Sequence, residues 1–322
     1  MSKPLRIVFM GTPELARTSL EALLASRHEV VAVVSQPDRP RGRGQAMQKP
    51  PVAELAVARG IPLLQPDKVG TRAFREWVRG FAPDLGVVAA FGHLLGERAL
   101  AVPRLGCINV HASLLPRWRG ASPITMAVLH GDAEAGVSIM QMDVGMDTGP
   151  WLAQRAIAVD AKDTGETLHD KIAALGAGLM VEVVDRLAEG PVEPVVQPEV
   201  GVTAAPLLRK EDAEIDWSRS AVAIERQIRA YHPWPGTRTS LEGKVLRVLP
   251  QAEVVPGRDG IAPGVVLAAS RHEGLVVQTG QGALALRTLQ LEGRKALPVE
   301  AFLAGMPVAP GTVVGSRPSS LP

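Results

Sequence analysis

Short, almost unbroken apolar runs, RIVFMG (6–11), EVVAVVS (29–35), LGVVAAFG (85–92) and CINVH (107–111), recur through the early part of the chain. Between them lie longer stretches in which apolar residues return with a helical period, TPELARTSLEALLAS (12–26), PPVAELAVARG (50–60) and TRAFREWVRG (71–80), with a further short strand-like piece, IPLLQ (61–65). A strand that is apolar on both faces must be covered on both faces, and strand–helix alternation gives that cover in a mostly parallel, doubly wound sheet. Thr12 is placed to cap the first helix and Pro13 to open it. VSIMQM (137–142) and WLAQRAIAV (151–159) read as two more strands around the loop DVGMDTGP, and a long helix begins near Asp163. The expected α/β domain spans 1–190. PVEPVVQPEVGVTAAP (191–206) has no helical period and reads as an extended linker. From 207 to 322 a helix, SRSAVAIERQIRAY, is followed by short glycine-punctuated runs such as KVLRVLPQAEVV, GLVVQTG and GALALRTLQLEG, the pattern of a small antiparallel, OB-like β-barrel.

At 322 residues and 46% hydrophobic content the chain is long enough for two cores. No apolar run reaches the ~20 residues that span a membrane, and the acidic turn at Glu14 comes too early for a signal peptide, so a cytoplasmic protein without membrane contact is expected. The single cysteine, Cys107, excludes an internal disulfide and reads as a buried thiol; no spacing suggests a metal site. A net charge of +2 announces no partner by bulk. It is unevenly spread, however: between Arg39 and Lys49 there are basic residues and no acidic one.

CINVHASLLPRWRGASPI (107–124) carries the chemistry. Asn109 and His111 are two apart on a strand, so they face the same way, at the carboxyl end where open parallel sheets bind ligands. MDVGMDTGP (142–150) sets Asp143 and Asp147 on a glycine-rich loop; alone, two such carboxylates serve an Asx-type turn at least as readily as a metal. The first turn, GTPE, lacks Gly-x-Gly-x-x-Gly, and no Walker A run is present, which argues against a dinucleotide or nucleoside triphosphate. Ser113 sits beside His111 on one strand end and has no triad partner, which argues against a covalent acyl enzyme. Asparagine, histidine and aspartate together can hold a carbonyl oxygen, stabilise its developing charge and move a proton, provided the substrate brings its own nucleophile.

NVHASLLPRWRGASPI with QMDVGMDTGP resembles the signature of the 10-formyltetrahydrofolate-dependent formyltransferases. RIVFMGTPELA, SQPDRPRGRGQ (35–45), IRAYHPWPGT (228–237) and FLAGMPVAPGTV (302–313) are similar to the branch of that superfamily that formylates methionyl-tRNA, and the similarity runs through the whole chain. The resemblance implies a formyl donor, 10-formyltetrahydrofolate, used as cosubstrate with no metal, and an initiator methionyl-tRNA whose α-amine is formylated for translation initiation. The alternative acceptor is a small sugar amine, for which the basic insertion has no use. It further implies catalysis by Asn109, His111 and Asp147; folate contacts from Ser113, Leu114, Leu115 and Pro116 and from Phe91, Gly92 and Asp143; tRNA contacts from Arg39, Arg41, Arg43 and Lys49, with Arg43 foremost; a tRNA-binding role for 207–322; and a monomer. Phe91, Ser122 and His232 depart from the usual tyrosine, alanine and asparagine.

Overall fold

In the structure, a computed structural model that describes residues 3–41 and 46–315, the apolar runs become neighbouring strands of one seven-stranded sheet. The first elements in chain order are β1 (Arg6–Gly11), α1 (Glu14–Leu24), β2 (Glu29–Val34), a hairpin of β3 (Arg39–Arg41) and β4 (Ala46–Gln48), α2 (Pro51–Ala58), β5 (Leu63–Leu64) and α3 (Arg72–Gly80). They continue with β6 (Leu85–Ala89), α4 (Glu97–Leu100), β7 (Cys107–His111), β8 (Arg119–Gly120), α5 (Pro123–His130), β9 (Glu134–Gln141), β10 (Trp151–Ala158), α6 (Gly165–Glu189) and β11 (Ala204–Ala205). The sheet order is β10-β9-β7-β6-β1-β2-β5. Strands β5, β2, β1, β6 and β7 are parallel, whereas β9 runs antiparallel to β7 and to β10. The 142–150 loop is too short for a crossover, so β9 and β10 can only form a hairpin.

By packing, the chain divides into two units: Met1–Pro123 with Glu134–Ala158 and His169–Ala205, and Ile124–Ala133 with Val159–Leu168 and Pro206–Pro322. Residues 191–205 carry little regular structure, turn at 199–201 and lie along the first unit: Val195 bridges to Trp151, and β11 pairs with β8.

In the first unit, one side of the sheet buries Val8, Met10, Ala32, Val34, Val88 and Phe91 in a single cluster with Phe74 and Val78 of α3. Thr71 caps α3, its hydroxyl accepting from the Phe74 amide at 3.1 Å. Thr12 does not cap α1. Pro13 takes that position without a side-chain bond, and the Thr12 hydroxyl donates instead to the Phe91 carbonyl at 3.1 Å, tying the first turn to the end of β6. Cys107 is 1% exposed, and burial pushes its thiol up to about 12, so it is a packing residue and not a nucleophile.

Asp84, before β6, accepts from the Arg6 amide at 2.9 Å and from Arg104 at 2.9 and 3.0 Å. Desolvation opposes its ionisation, but these donors win and its carboxyl is held below the usual carboxylate range. A depressed folded value contributes stability above the unfolded value, near ~3.9, and loses it as the pH falls through the folded one. Asp84→Asn is therefore expected to destabilise the protein at pH 7, with the difference from wild type shrinking toward pH 3; denaturant unfolding at both pH values checks it.

The second unit is built around α7 (Ala221–Ala230), whose Ser220 cap accepts from the Ala223 amide. It continues through β12 (Thr237–Leu241), β13 (Lys244–Val248), β14 (Glu253–Val255), β15 (Val266–Ser270), β16 (Gly274–Gln278), β17 (Ala283–Leu286), β18 (Thr288–Leu291), β19 (Leu297–Pro298) and α8 (Val299–Gly305). The expected barrel takes the form of two four-stranded antiparallel sheets, β12-β13-β18-β19 and β14-β17-β16-β15. Two apolar runs supply both sheets: KVLRVLPQAEVV breaks at Pro250 and at Gln251, whose φ is +87°, and GALALRTLQLEG breaks at Arg287. Chains that switch sheets in this way close a small β domain over one core. That core holds Ile224 and Ile228 of α7 with Leu246, Leu275, Leu284, Leu289 and Phe302. Arg229 and Arg226 of α7 donate to the carbonyls of Asp163 and His130, which explains why those earlier segments belong to this unit.

Candidate active site

β7 is central enough to be buried along most of its length, and it ends in a polar residue at the rim. His111 is 5% exposed. Its Nε2 faces only the Trp118 carbonyl, at 2.9 Å, so Nε2 carries the hydrogen and donates it. Nδ1 is left facing Asp147 Oδ1 at 3.6 Å. Asn109, one pleat earlier on the same face, places Nδ2 at 3.5 Å from the same Oδ1. The three side chains that sequence reasoning grouped are thus brought together around one carboxylate oxygen. The Asn109 approach is at the outer limit of a hydrogen bond and the His111 approach is beyond it, so Asn109 Nδ2, and His111 Nδ1 when it carries a proton, can turn to an acceptor set between them.

The carboxylate is fixed from elsewhere. Asp147 Oδ2 accepts from the Gly120 amide at 2.8 Å. The loop that carries Asp147 is in turn held by chain far away in sequence: Gln197 Nε2 donates to the carbonyls of Asp147 and Gly149 at 2.8 and 2.7 Å, and its Oε1 accepts from the Arg119 side chain at 2.7 and 3.1 Å. Asp147 and Trp118 both sit in the left-handed region, at φ +54° and +61°. That conformation costs a non-glycine residue roughly 1–2 kcal/mol and is kept where surroundings over-determine it, often at functional sites.

The other expected contacts fall into three groups. Asp143 is exposed and serves its own turn, accepting from the Gly145 amide at 3.0 Å and the Thr148 hydroxyl at 2.7 Å. The Ser113–Pro116 loop is committed inward: the Ser113 hydroxyl donates to the Arg117 carbonyl, the Leu115 amide donates to Ser138, and the Leu115 carbonyl accepts from Gln154. Leu115 is buried, so Leu114 and Pro116 are the more open members. Phe91 packs in the core with its carbonyl occupied by Thr12 and Gln36, while Gly92 turns at φ +77°. Beside that turn, His93 stands edge-on to Phe91 and has a buried Nε2 with no partner among the described residues.

Of the basic insertion, Arg43 lies outside the described residues. Arg39 is exposed and Arg41 is in β3. Lys49 is half-exposed but reaches Asp38 at 3.3 Å. Asp38 also accepts from Gln65 at 2.7 Å, and this bond together with Lys49 holds its carboxyl below the usual range; it ties the base of the hairpin to the residue that follows β5. No group of three or more histidine, cysteine or acidic residues that could hold a metal occurs among the described residues, and no helix there is long and apolar enough to cross a membrane.

Sequence reasoning places Arg119 behind His111 without its partner, and it misses Gln197, Ser138 and Gln154, which lie outside the motifs and make their contacts across large sequence separations.

A mostly parallel α/β unit with an Asn-x-His strand end facing a loop aspartate, followed by an antiparallel β unit, agrees with the formyl transferases. The formyl transferase family matches residues 5–184 and its C-terminal domain residues 207–307; the chain belongs to that family. It is 47% identical over 317 residues to the methionyl-tRNA formyltransferase of Citrifermentans bemidjiense, across 98% of each chain. It is also 47% identical over 312 residues to that of Myxococcus xanthus, across 97% of this chain and 98% of the relative. Two solved structures share the fold. HypX of Aquifex aeolicus, in complex with tetrahydrofolic acid, has a TM-score of 0.63 at 18% identity; the match covers 94% of this chain and 47% of HypX, so this chain spans about half of that protein. An N-formyltransferase from Helicobacter canadensis, in complex with folinic acid and dTDP-3-aminofucose, has a TM-score of 0.64 at 16% identity, over 88% and 99% of the two chains.

Proposed function

We propose that the protein transfers the formyl group of 10-formyltetrahydrofolate to the α-amine of methionine esterified to initiator tRNA, as a cytoplasmic enzyme of translation initiation. The observation that carries the chemistry is the convergence of Asn109 Nδ2 and His111 Nδ1 on Asp147 Oδ1. The observation that chooses the acceptor is near-full-length identity to methionyl-tRNA formyltransferases, against only distant likeness to an amino-sugar enzyme.

In this reading the free amine attacks the formyl carbon, forming the new C–N bond, and the formyl oxygen takes up negative charge. Asn109 donates to that oxygen through Nδ2, and His111 through Nδ1 when it is protonated. Asp147 lies close enough to receive the proton that the amine loses and return it to N10 of the folate as the old C–N bond breaks. Removing one such donor typically costs ~10²–10³ in rate. The folate lies along the strand ends against the Phe91–Gly92 turn and the 142–149 loop. The buried Nε2 of His93, without a partner among the described residues, fits that placement, because a buried ring nitrogen is stabilised by a polar ligand edge. Purified protein supplied with the donor and methionyl initiator tRNA should yield the formylated aminoacyl-tRNA and give no product with a nucleotide-linked amino sugar; the opposite preference would favour the small-amine alternative.

The Arg39–Lys49 insertion leaves the same edge of the sheet and is assigned to the tRNA phosphates, together with a face of the 207–322 unit. Arg43→Ala is expected to raise the KM for tRNA and flatten its salt dependence by about one counterion while folate binding stays unchanged. Kinetics at two salt concentrations check this, and identical salt slopes would leave the insertion merely solvated.

A further inference from the structure

The stretch 185–206 lies between the two family matches, yet part of it bonds to the loops that carry the candidate site. Within it Gln197 is 9% exposed and every hydrogen-bonding position of its amide is used: two carbonyls, of Asp147 and Gly149, take its two N–H groups, and two N–H groups of Arg119 point at its oxygen. With acceptors on one side and donors on the other, the amide has one possible orientation. The same stretch grips the loop on the other side of the site. The Thr203 hydroxyl accepts from the Trp118 amide at 2.8 Å, its carbonyl accepts from the Arg119 amide at 2.9 Å, and β11 runs parallel to β8. Trp118 supplies the carbonyl that receives His111 Nε2–H, and Gly120 supplies the amide that holds Asp147 Oδ2.

Resting on the formyl-transfer reading above, we infer that residues 195–205 form a strap that sets the geometry of the site, with Gln197 as a positioning residue that fixes the Asp147 backbone and so aims its carboxylate at Asn109 and His111. Gln197 touches neither Asn109 nor His111; it acts through Asp147. Asp147 holds a left-handed conformation, and releasing its carbonyl removes one of the contacts that keep it there.

Gln197→Glu separates this role from a simple tether on Arg119. A carboxylate keeps, and strengthens, the partner for Arg119 but offers no donor to the two carbonyls. Both Gln197→Ala and Gln197→Glu are therefore expected to lower kcat for methionyl-tRNA formylation by about tenfold to a hundredfold, the scale of a small misplacement of a reacting group, with the KM for tRNA within about twofold of wild type. In an Asp147→Ala background, measured in single turnover, adding Gln197→Ala is expected to change the rate by less than about twofold, because the group it aims is gone. Exchange of the Gly120 amide, which is bonded to Asp147 Oδ2, needs no turnover and is expected to speed up at least about tenfold in both single variants. A Gln197→Glu enzyme within about twofold of wild type, a full Gln197→Ala loss repeated in the Asp147→Ala background, or unchanged Gly120 exchange would each overturn the positioning role. A wild-type chain that fails to formylate methionyl-tRNA would count against the formyl-transfer reading, while Gly120 exchange would still decide whether Gln197 holds Asp147.

Discussion

Alanine at Asn109, His111 or Asp147 is expected to lower the turnover of formyl transfer by roughly two to three orders of magnitude each, with folding preserved. The size follows from what each side chain is placed to do. Asn109 Nδ2 and His111 Nδ1, the latter a donor when protonated, approach the same oxygen of Asp147. A donor aimed in advance at the position where charge develops needs no reorganisation during reaction, and in a site this buried it is poorly replaced by water. Folding should survive because Asn109 is only partly buried and Asp147 is on a loop; His111 is the most enclosed, and its Nε2 bond to Trp118 makes it the variant with the largest stability cost. Steady-state kinetics with thermal unfolding of each variant check both halves. Near-normal turnover in two of the three would refute the assignment.

Gly120→Ala is expected to be nearly as damaging, although the residue contributes no side chain. Gly120 has φ +121°, a region that alanine enters only with strain, and a Cβ there would stand 2.5 Å from the Ala205 carbonyl oxygen. Relief requires β8 to part from β11, and that movement carries away the amide that holds Asp147 Oδ2. The expected result is a loss of stability of about 1–3 kcal/mol together with a fall in kcat of roughly a hundredfold. Denaturant unfolding and kinetics on the same preparation separate the two effects. An enzyme that is destabilised but fully active would show that the Gly120–Asp147 bond does not matter to catalysis.

The sheet was readable in the sequence because strands buried on both faces have no polar alternation to hide, and β1, β2, β6 and β7 coincide with the apolar runs. Asn109 and His111 were readable for an equally local reason, the two-residue repeat of a strand. The Asp143–Asp147 loop was only half readable: Asp143 caps its own turn, whereas Asp147 caps an amide 27 residues earlier, and nothing in MDVGMDTGP distinguishes the two. Gln197 was invisible because its partners lie 48 to 78 residues away and its neighbours, PVVQPEV, have the composition of a linker. The bonds from arginines of α7 to the carbonyls of His130 and Asp163 were invisible likewise, since they join residues 66 to 96 positions apart. Thr12 was misread because a threonine before Pro-Glu has the form of a cap, while its hydroxyl finds the Phe91 carbonyl across the sheet.

Asn109, His111 and Asp147 are proposed to act as one catalytic unit on a formyl group bound for methionyl-tRNA. The most direct measurement is the single-turnover rate of formyl transfer from 10-formyltetrahydrofolate to methionyl initiator tRNA by the wild type, Asn109→Ala, His111→Ala and the double variant. A fast wild-type transfer is expected, with two severely slowed single variants and a double variant within about tenfold of the slower single, because groups that stabilise the same oxygen are not independent. A double variant slowed by the full product of the single losses, or single variants close to the wild-type rate, would contradict it.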